Sequence, residues 1–310
     1  MTSVALIVTG DLEYAALPTS LQRAFPTLNF VLHASPPGRP MNGFTSNPLR
    51  EGDPVLSSPS PDGDARPSIL AQLVDQLILA VHPGRNGKPH DYAILVDDLE
   101  LSNATQPRRV VEHVRFAVPR RIEAQWSSQS KREQVADIVR ERCSFHLLSP
   151  MVESYFFCES AALDRAGRVS ERASLVDPVA RDVEDFLVSD ADYERVPVPL
   201  GATKRTAPRD WRRSPEQRAR HPKKYVQYLS DPLLDGQTRY DETTKGKHAL
   251  ERLDWSGVLR ARHNARLIRS LFADLARIAP PTPASLSLAD EDCSPLTWRV
   301  SERGRVLRNL

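Results

Sequence analysis

Apolar and polar residues change rhythm several times along the first half of the chain, and each change marks an element. Val4-Ala-Leu-Ile-Val8 is an unbroken apolar run closed by Thr9-Gly10-Asp11, the pattern of a strand buried on both faces and followed by a turn. Leu12, Ala15, Ala16, Leu21 and Phe25 then recur at roughly helical spacing, with Pro18 placed to limit or reset that helix. Asn29-Phe-Val-Leu-His33 reads as a second strand. Ser68 can cap a helix whose Ile69, Leu70, Leu73, Leu77 and Ile78 share one broad face, and Tyr92-Ala-Ile-Leu-Val-Asp97 follows as the clearest central strand. Helical patterns continue through residues 108–124 and 131–142, Ser144-Phe-His-Leu-Leu148 is a further strand, and Pro150 opens an apolar helix carrying Glu153. Helices alternating with short buried strands predict an α/β fold with a mostly parallel sheet and helices on its faces.

Two regions break this rhythm. Residues 35–67 hold eight prolines among many Ser, Gly and Asp, a composition with no apolar face to dock, and the expectation is a long mobile loop. Beyond about Val169 the pattern weakens into a basic, mainly helical part. Residues 222–229 and 248–253 read as short helices, and 258–278 as a longer one with Leu259, Ile268, Leu271, Phe272 and Leu275 on its buried side. The expected organisation is an α/β core over residues 1–168 and a C-terminal part over 169–310 that can pack on the same core.

Composition narrows the classes. A chain of 310 residues can bury a full core. Its three cysteines, Cys143, Cys158 and Cys293, contain no CxxC pair, so neither a disulfide framework nor a zinc knuckle is indicated, and a reducing compartment fits best. No stretch approaches the roughly twenty apolar residues of a membrane span, and the N-terminal run has no basic leader; a cytoplasmic protein is expected. The 42 Lys+Arg against 40 Asp+Glu leave a net charge of +2. That charge is uneven: residues 193–224 hold ten basic side chains and three acidic ones. Arg212, Arg213, Arg218, Arg220, Lys223 and Lys224 are therefore candidates for phosphate contacts, with Trp211, Tyr225 and Tyr228 available for base stacking. The competing reading is a solvated Arg-rich loop with core aromatics. Lys245-Gly-Lys-His248 lacks the spacing of a P-loop, no GxSxG elbow or HExxH pair occurs, and Cys143 and His146 should face opposite sides of their strand.

The acids carry the candidate chemistry. Asp11 and Glu13 follow the first strand, and Asp97, Asp98 and Glu100 follow the central one, at the strand ends where open α/β sheets bind ligands. Brought together they could hold Mg²⁺ through oxygen; taken singly, each also reads as a helix cap or a solvated loop acid. Alternation along an extended strand would let Asp98 and Glu100 converge and turn Asp97 away toward a structural hydrogen bond.

The stretch Leu6-Ile-Val-Thr-Gly-Asp-Leu-Glu-Tyr-Ala-Ala-Leu-Pro18, the strand Ile94-Leu-Val-Asp-Asp-Leu-Glu100, the segment Leu148-Ser-Pro-Met-Val-Glu-Ser-Tyr-Phe-Phe157, His221-Pro-Lys-Lys-Tyr225 and residues 240–247 together resemble an uncharacterised Toprim-like family, often encoded beside an ATPase in bacterial defence loci. The resemblance covers about half of the chain. It implies a Toprim-like fold in which a Glu after the first strand and an acidic pair after a later one bind Mg²⁺, or Mn²⁺ in its place, for phosphoryl transfer. Asp98 and Glu100 match the acidic pair with Asp97 beside them, and Glu153 matches a further family position. Thr9 stands where the first carboxylate is usual, and Glu13, at a second acidic position of that motif, is the substitute. The expectation that follows is an Mg²⁺-dependent nuclease-like effector working with an ATPase partner in antiviral defence. Its catalytic groups are Glu13, Asp98 and Glu100, and its metal ligands are drawn from Glu13, Asp97, Asp98, Glu100 and Glu153. The alternative is a catalytically degenerate module that binds nucleic acid or a partner protein without cleaving. DNA or RNA, the partner's identity and the oligomeric state are not legible in the sequence.

Overall fold

The computed structural model describes residues 1–58, 66–84, 87–200, 210–260, 264–283, 286, 288–298 and 304–310. Strands β1 (Thr2–Val8), β2 (Leu28–Leu32), β5 (Tyr92–Asp98) and β6 (Cys143–Leu148) form one parallel sheet in the order β2-β1-β5-β6. Two-residue strands β3 (Ser57–Ser58) and β4 (Arg66–Pro67) make a separate antiparallel ribbon. The connections are helical: α1 (Asp11–Ala24) joins β1 to β2, α2 (Ile69–Val81) leads into β5, and α3 (Pro107–Gln125) with α4 (Gln129–Arg142) leads into β6. From β1 the chain moves outward to β2, then crosses back to β5 and out to β6. The direction therefore reverses between β1 and β5, the kind of place at whose carboxyl ends open α/β sheets bind ligands.

Alternation along the strands divides the interior. Val4, Leu6, Val8, Ile94, Val96 and Leu148 face α1 and the C-terminal part; Ala5, Ile7, Ala93, Leu95, Phe145 and Leu147 face α2, α3 and α4. Both faces are fully covered, as continuous apolar strands require. The first core runs without interruption from β1 to Leu275 and beyond, so residues on both sides of 168 share it. Short helices α5 (Ser160–Arg165), α6 (Ala191–Arg195), α7 (Pro222–Leu229), α8 (Lys247–Glu251), α9 (Trp255–Val258) and α10 (Arg266–Ala276) build that side. Among the described residues no helix is long and apolar enough to cross a membrane.

Pro18 sits inside α1 without ending it. The single long helix expected over 258–278 is instead α9 and α10, with Ala265 left-handed at φ 56° before α10. Buried Arg269 donates to the Leu259 carbonyl at 2.6 Å and to the Asn264 carbonyl at 2.8 Å, supplying partners that a continuous helix would otherwise supply. Glu153 lies on a 3₁₀ segment (Val152–Cys158) rather than an α-helix.

The proline-rich segment also differs from expectation. Residues 35–58 dock on the strand ends through polar contacts: the Met41 amide donates to the Val8 carbonyl at 3.1 Å, and buried Asn103 binds the Thr45 and Asn47 carbonyls and the Leu49 amide. Composition predicted no apolar face, yet Met41 is buried in the core on the α2 side and Phe44, Leu49 and Leu56 pack against that core, alongside the hydrogen bonds to Asn103. Residues 59–65 lie outside the described residues.

At the sheet's other edge, the Arg308 amide donates to the Cys143 carbonyl, and the Asn309 side-chain amide pairs with both the amide and the carbonyl of Phe145. Residues 304–310 thereby cover backbone groups of β6 that an edge strand would leave open.

Candidate functional site

Acids gather at the carboxyl ends of β1 and β5. Val8 pairs with Val96, so Thr9 and Asp97 emerge side by side. Asp97 continues the register of Ile7-facing residues toward the α2 side and is 1% exposed. The Thr9 hydroxyl donates to its Oδ1, and Thr45 Oγ1 lies 3.1 Å from its Oδ2 and 2.6 Å from the Asp98 carbonyl. Burial pushes the Asp97 carboxyl up to about 7, against the pull of the two hydroxyls. Asp97 is thus tied into the scaffold by two threonines, and Thr9 is its hydrogen-bond donor.

Asp98, one residue on, points to the opposite face and meets three other acids. Burial raises its pKa first, and the nearby charges of Glu13, Glu100, Glu153 and Asp97 raise it further. Strand β5 extends through Asp98, which pairs with Leu148. The extended geometry expected to carry on to Glu100 stops there: Glu100 is left-handed at φ 58°, its amide bonded to the Pro150 carbonyl at 2.8 Å. Glu100 reaches the group through a turn, a backbone state that costs a non-glycine residue about 1–2 kcal/mol. Its pKa is raised by burial and by Glu153, and lowered by Lys223.

Glu13 enters from the first turn of α1, 3% exposed. Its carboxylate folds back over Gly10, where an added Cβ would stand 1.8 Å from Oε2; a side chain at this position would displace the Glu13 carboxylate from where it lies. Burial and Glu153 push the Glu13 carboxyl up to about 8, with its own backbone N–H and Lys223 pulling the other way. Buried Glu153 accepts a hydrogen bond from Tyr240 at 2.9 Å. Gly246, at the end of a π-helical turn (Glu242–Gly246), packs with its Cα against the Tyr240 hydroxyl, where a Cβ would come within 2.9 Å. Lys223 on α7 forms an ion pair with Glu242.

The structure therefore brings Glu13, Asp98, Glu100 and Glu153 within reach of one another's charge and sets Asp97 beside them on the scaffold side. Two buried oxygens in this group, Glu13 Oε1 and Asp98 Oδ1, have no hydrogen-bond partner, a costly state for a carboxyl group. Hard oxygen donors with unpartnered lone pairs suit a divalent cation that keeps several waters. Among the described residues no three His, Cys, Asp or Glu side chains stand already drawn into a ligation shell. The donor chemistry fits, and closure of the shell requires side-chain movement.

The raised carboxyls set the sign of a pH effect. Groups whose folded pKa lies above the unfolded value stabilise the fold fully below about pH 4, and that contribution is lost as pH climbs through the folded values of about 7 for Asp97 and about 8 for Glu13. In a chelator, thermal melts between pH 5 and 9 are expected to show the midpoint falling steadily from pH 5 to about pH 7–8, the interval in which the unfolded carboxyls are ionised and the folded ones still protonated. A midpoint that rises over that interval would show that these acids are not buried together.

Much of the described basic stretch is engaged inside the fold, while Arg220 stays exposed. Arg218 is 1% exposed and donates to the carbonyls of Tyr193, Glu194, Val196 and Arg212. Arg212 pairs with Asp210 at 2.8 Å, Arg220 with Asp185 at 3.2 Å, and Lys224 donates to the Arg213 carbonyl with its pKa lowered by burial to about 8. Arg213 is half-buried, and Lys204, Arg205 and Arg209 lie outside the described residues. Backbone carbonyls in an irregular segment need donors, and these long cations supply them. Trp211, Tyr225 and Tyr228 are buried with Tyr193, at ring separations of 4.9–5.7 Å, and offer no face to a base. Lys223 alone of the six faces the acids. Sequence reasoning placed it in a nucleic-acid surface and assigned Tyr240 no role, although both lie in segments whose motifs were singled out.

His146 is buried and lies 3.3 Å from Asp274, on the opposite side of β6 from Cys143, in keeping with a core role. No family model, no curated protein and no solved structure matches the chain.

Proposed function

We propose that the chain is a divalent-cation-dependent, nuclease-like effector that acts on phosphodiesters at the carboxyl ends of β1 and β5. The observation that supports it is the pair of buried, unpartnered oxygens, Glu13 Oε1 and Asp98 Oδ1, within a group of mutually repelling acids at the topological switch point. A cluster of this kind weakens the fold unless a cation or protons neutralise it, so its presence favours a binding role. Glu13, Asp98, Glu100 and Glu153 would hold Mg²⁺ or Mn²⁺, which when bound polarises a phosphoryl oxygen and acidifies a coordinated water. Tyr240 orients Glu153 through its hydroxyl, Gly10 leaves Glu13 room to swing, and Lys223 balances the excess negative charge. The Toprim-like fold, the ATPase partner and the defence setting rest on the family resemblance.

A second reading, a module that binds nucleic acid or a partner without cleavage, is favoured by Thr9, which takes the place of a carboxylate and serves Asp97 instead. The test is cleavage of single- and double-stranded DNA and RNA with Mg²⁺ or Mn²⁺, with and without an ATPase of the kind that accompanies the resembled family. Glu13→Ala, Asp98→Ala and Glu100→Ala are each expected to lower the rate by about 10²–10⁴-fold, the range typical of a lost acid–base group. Cleavage surviving all three substitutions would remove this site; no cleavage and no cation binding would overturn the first reading in favour of the second.

A further inference from the structure

A cleft lies away from the acids, where the far end of α1 meets α5 and α8. Thr19, Arg23, Arg165, Glu251 and Arg252 line it, an open cleft of about 460 Å³. Arg23 follows Glu13 by ten residues on α1, which places it about 15 Å farther along the helix, so the two sites are separate.

Three guanidinium groups meet one carboxylate in this lining. The arginines are held by neighbours that leave donors to spare. Arg23 donates to the Glu251 carbonyl at 2.9 Å, and Arg165 donates to the Arg252 carbonyl at 3.1 Å and to Glu159 at 2.8 Å. Glu159 is fixed in turn by the Asp254 amide at 2.8 Å. Arg165 Nε is buried with no hydrogen-bond partner. Among the described residues, neither Arg23 nor Arg252 has a carboxylate within ion-pair distance, and Glu251 lies 3.8 Å from Lys247. A planar fork with five donors, anchored through one or two of them, presents the rest to a ligand with matching acceptors. The Thr19 hydroxyl adds a neutral donor at the rim.

We propose that this cleft binds the phosphate groups of a nucleotide or of a nucleic-acid strand. Phosphate is the chemistry that forked guanidinium donors recognise through paired, charge-assisted bonds. The proposal does not depend on the acid site, because the cleft draws no residue from it.

Calorimetric titration in a chelator separates the two sites, with ADP in one arm and a short single-stranded oligonucleotide in the other. Wild type and Asp98→Asn are expected to bind ADP alike. Arg23→Ala combined with Arg252→Ala, both exposed positions whose loss leaves the core intact, is expected to weaken binding by at least about tenfold, the effect of losing charge-assisted hydrogen bonds. The paired lysine variant, Arg23→Lys with Arg252→Lys, keeps the charge but loses the fork and should fall between. Saturation by ADP identifies a free nucleotide as the source of the phosphate; response to the oligonucleotide alone, with a salt-dependent affinity, identifies a strand. If neither ligand binds wild type, or the double alanine variant binds as tightly, the cleft is only a tie between helices and the proposal falls.

Discussion

Asp274→Ala is expected to cost about 3–5 kcal/mol, the range found when one member of a buried ionic group is removed, and so a large share of the 5–15 kcal/mol that holds a typical domain together. Asp274 on α10 is 1% exposed and accepts from Ser144 at 2.5 Å, from Arg308 at 2.6 Å and from His146 at 3.3 Å. These donors hold its pKa well below the ordinary carboxylate range although burial opposes them. A folded pKa below the unfolded value stabilises above about pH 4, and that contribution is lost as pH falls through the folded value. The alanine variant leaves buried His146 and Ser144 without their acceptor and Arg308 with only the residue 274 backbone carbonyl at 3.2 Å, so α10 loses its side-chain tie to β6 and most of its tie to residues 304–310. Urea denaturation at pH 7 measures the loss directly. A change under about 1 kcal/mol would mean that water or another acceptor reaches those donors.

The second large effect runs the other way. Glu13→Gln with Asp98→Asn is expected to stabilise the cation-free protein by on the order of 5 kcal/mol at pH 8, since each unit of upward pKa shift corresponds to about 1.36 kcal/mol and Glu13 alone is pushed from 4.5 to about 8. The amides keep the shape, remove the repulsion with Glu100 and Glu153, and cannot ionise. The gain should shrink toward pH 5, where the wild-type carboxyls are protonated, and should shrink again when Mg²⁺ or Mn²⁺ is added to wild type, because a cation supplies the missing neutralisation. Midpoints in chelator at pH 5 and pH 8 decide it. A variant less stable than wild type at both values would mark these acids as scaffold. A gain in stability joined to a loss of cleavage is the trade-off expected where a site is built against the fold's own interest.

Much of the sheet was legible because its strands are apolar on both faces and its helices carry one broad stripe. The carboxylates at the strand ends were legible for the same reason, since an unbroken apolar run makes its first polar residue conspicuous. Legibility ended where the structure is held by hydrogen bonds between residues distant in sequence. Thr45 and Asn103, 58 residues apart, dock a proline-rich segment that has no periodicity to read. Lys223 and Arg218 are alike in sequence, yet one faces the acids and the other is buried among carbonyls; only the path of an irregular chain tells them apart. Glu100 reached the site through a left-handed turn that its identity disfavours, so strand alternation predicted its neighbours by the wrong route.

The shared core also constrains the order in which the chain can mature on the ribosome. Strand β6 is complete at Leu148, but α10, which covers the same sheet, ends at Ala276, about 130 residues later and so roughly 6–26 s later at 5–20 residues per second. Through that interval one face of the sheet has its own strands and α1 but lacks most of its cover, and a nascent chain in that condition is a substrate for chaperones.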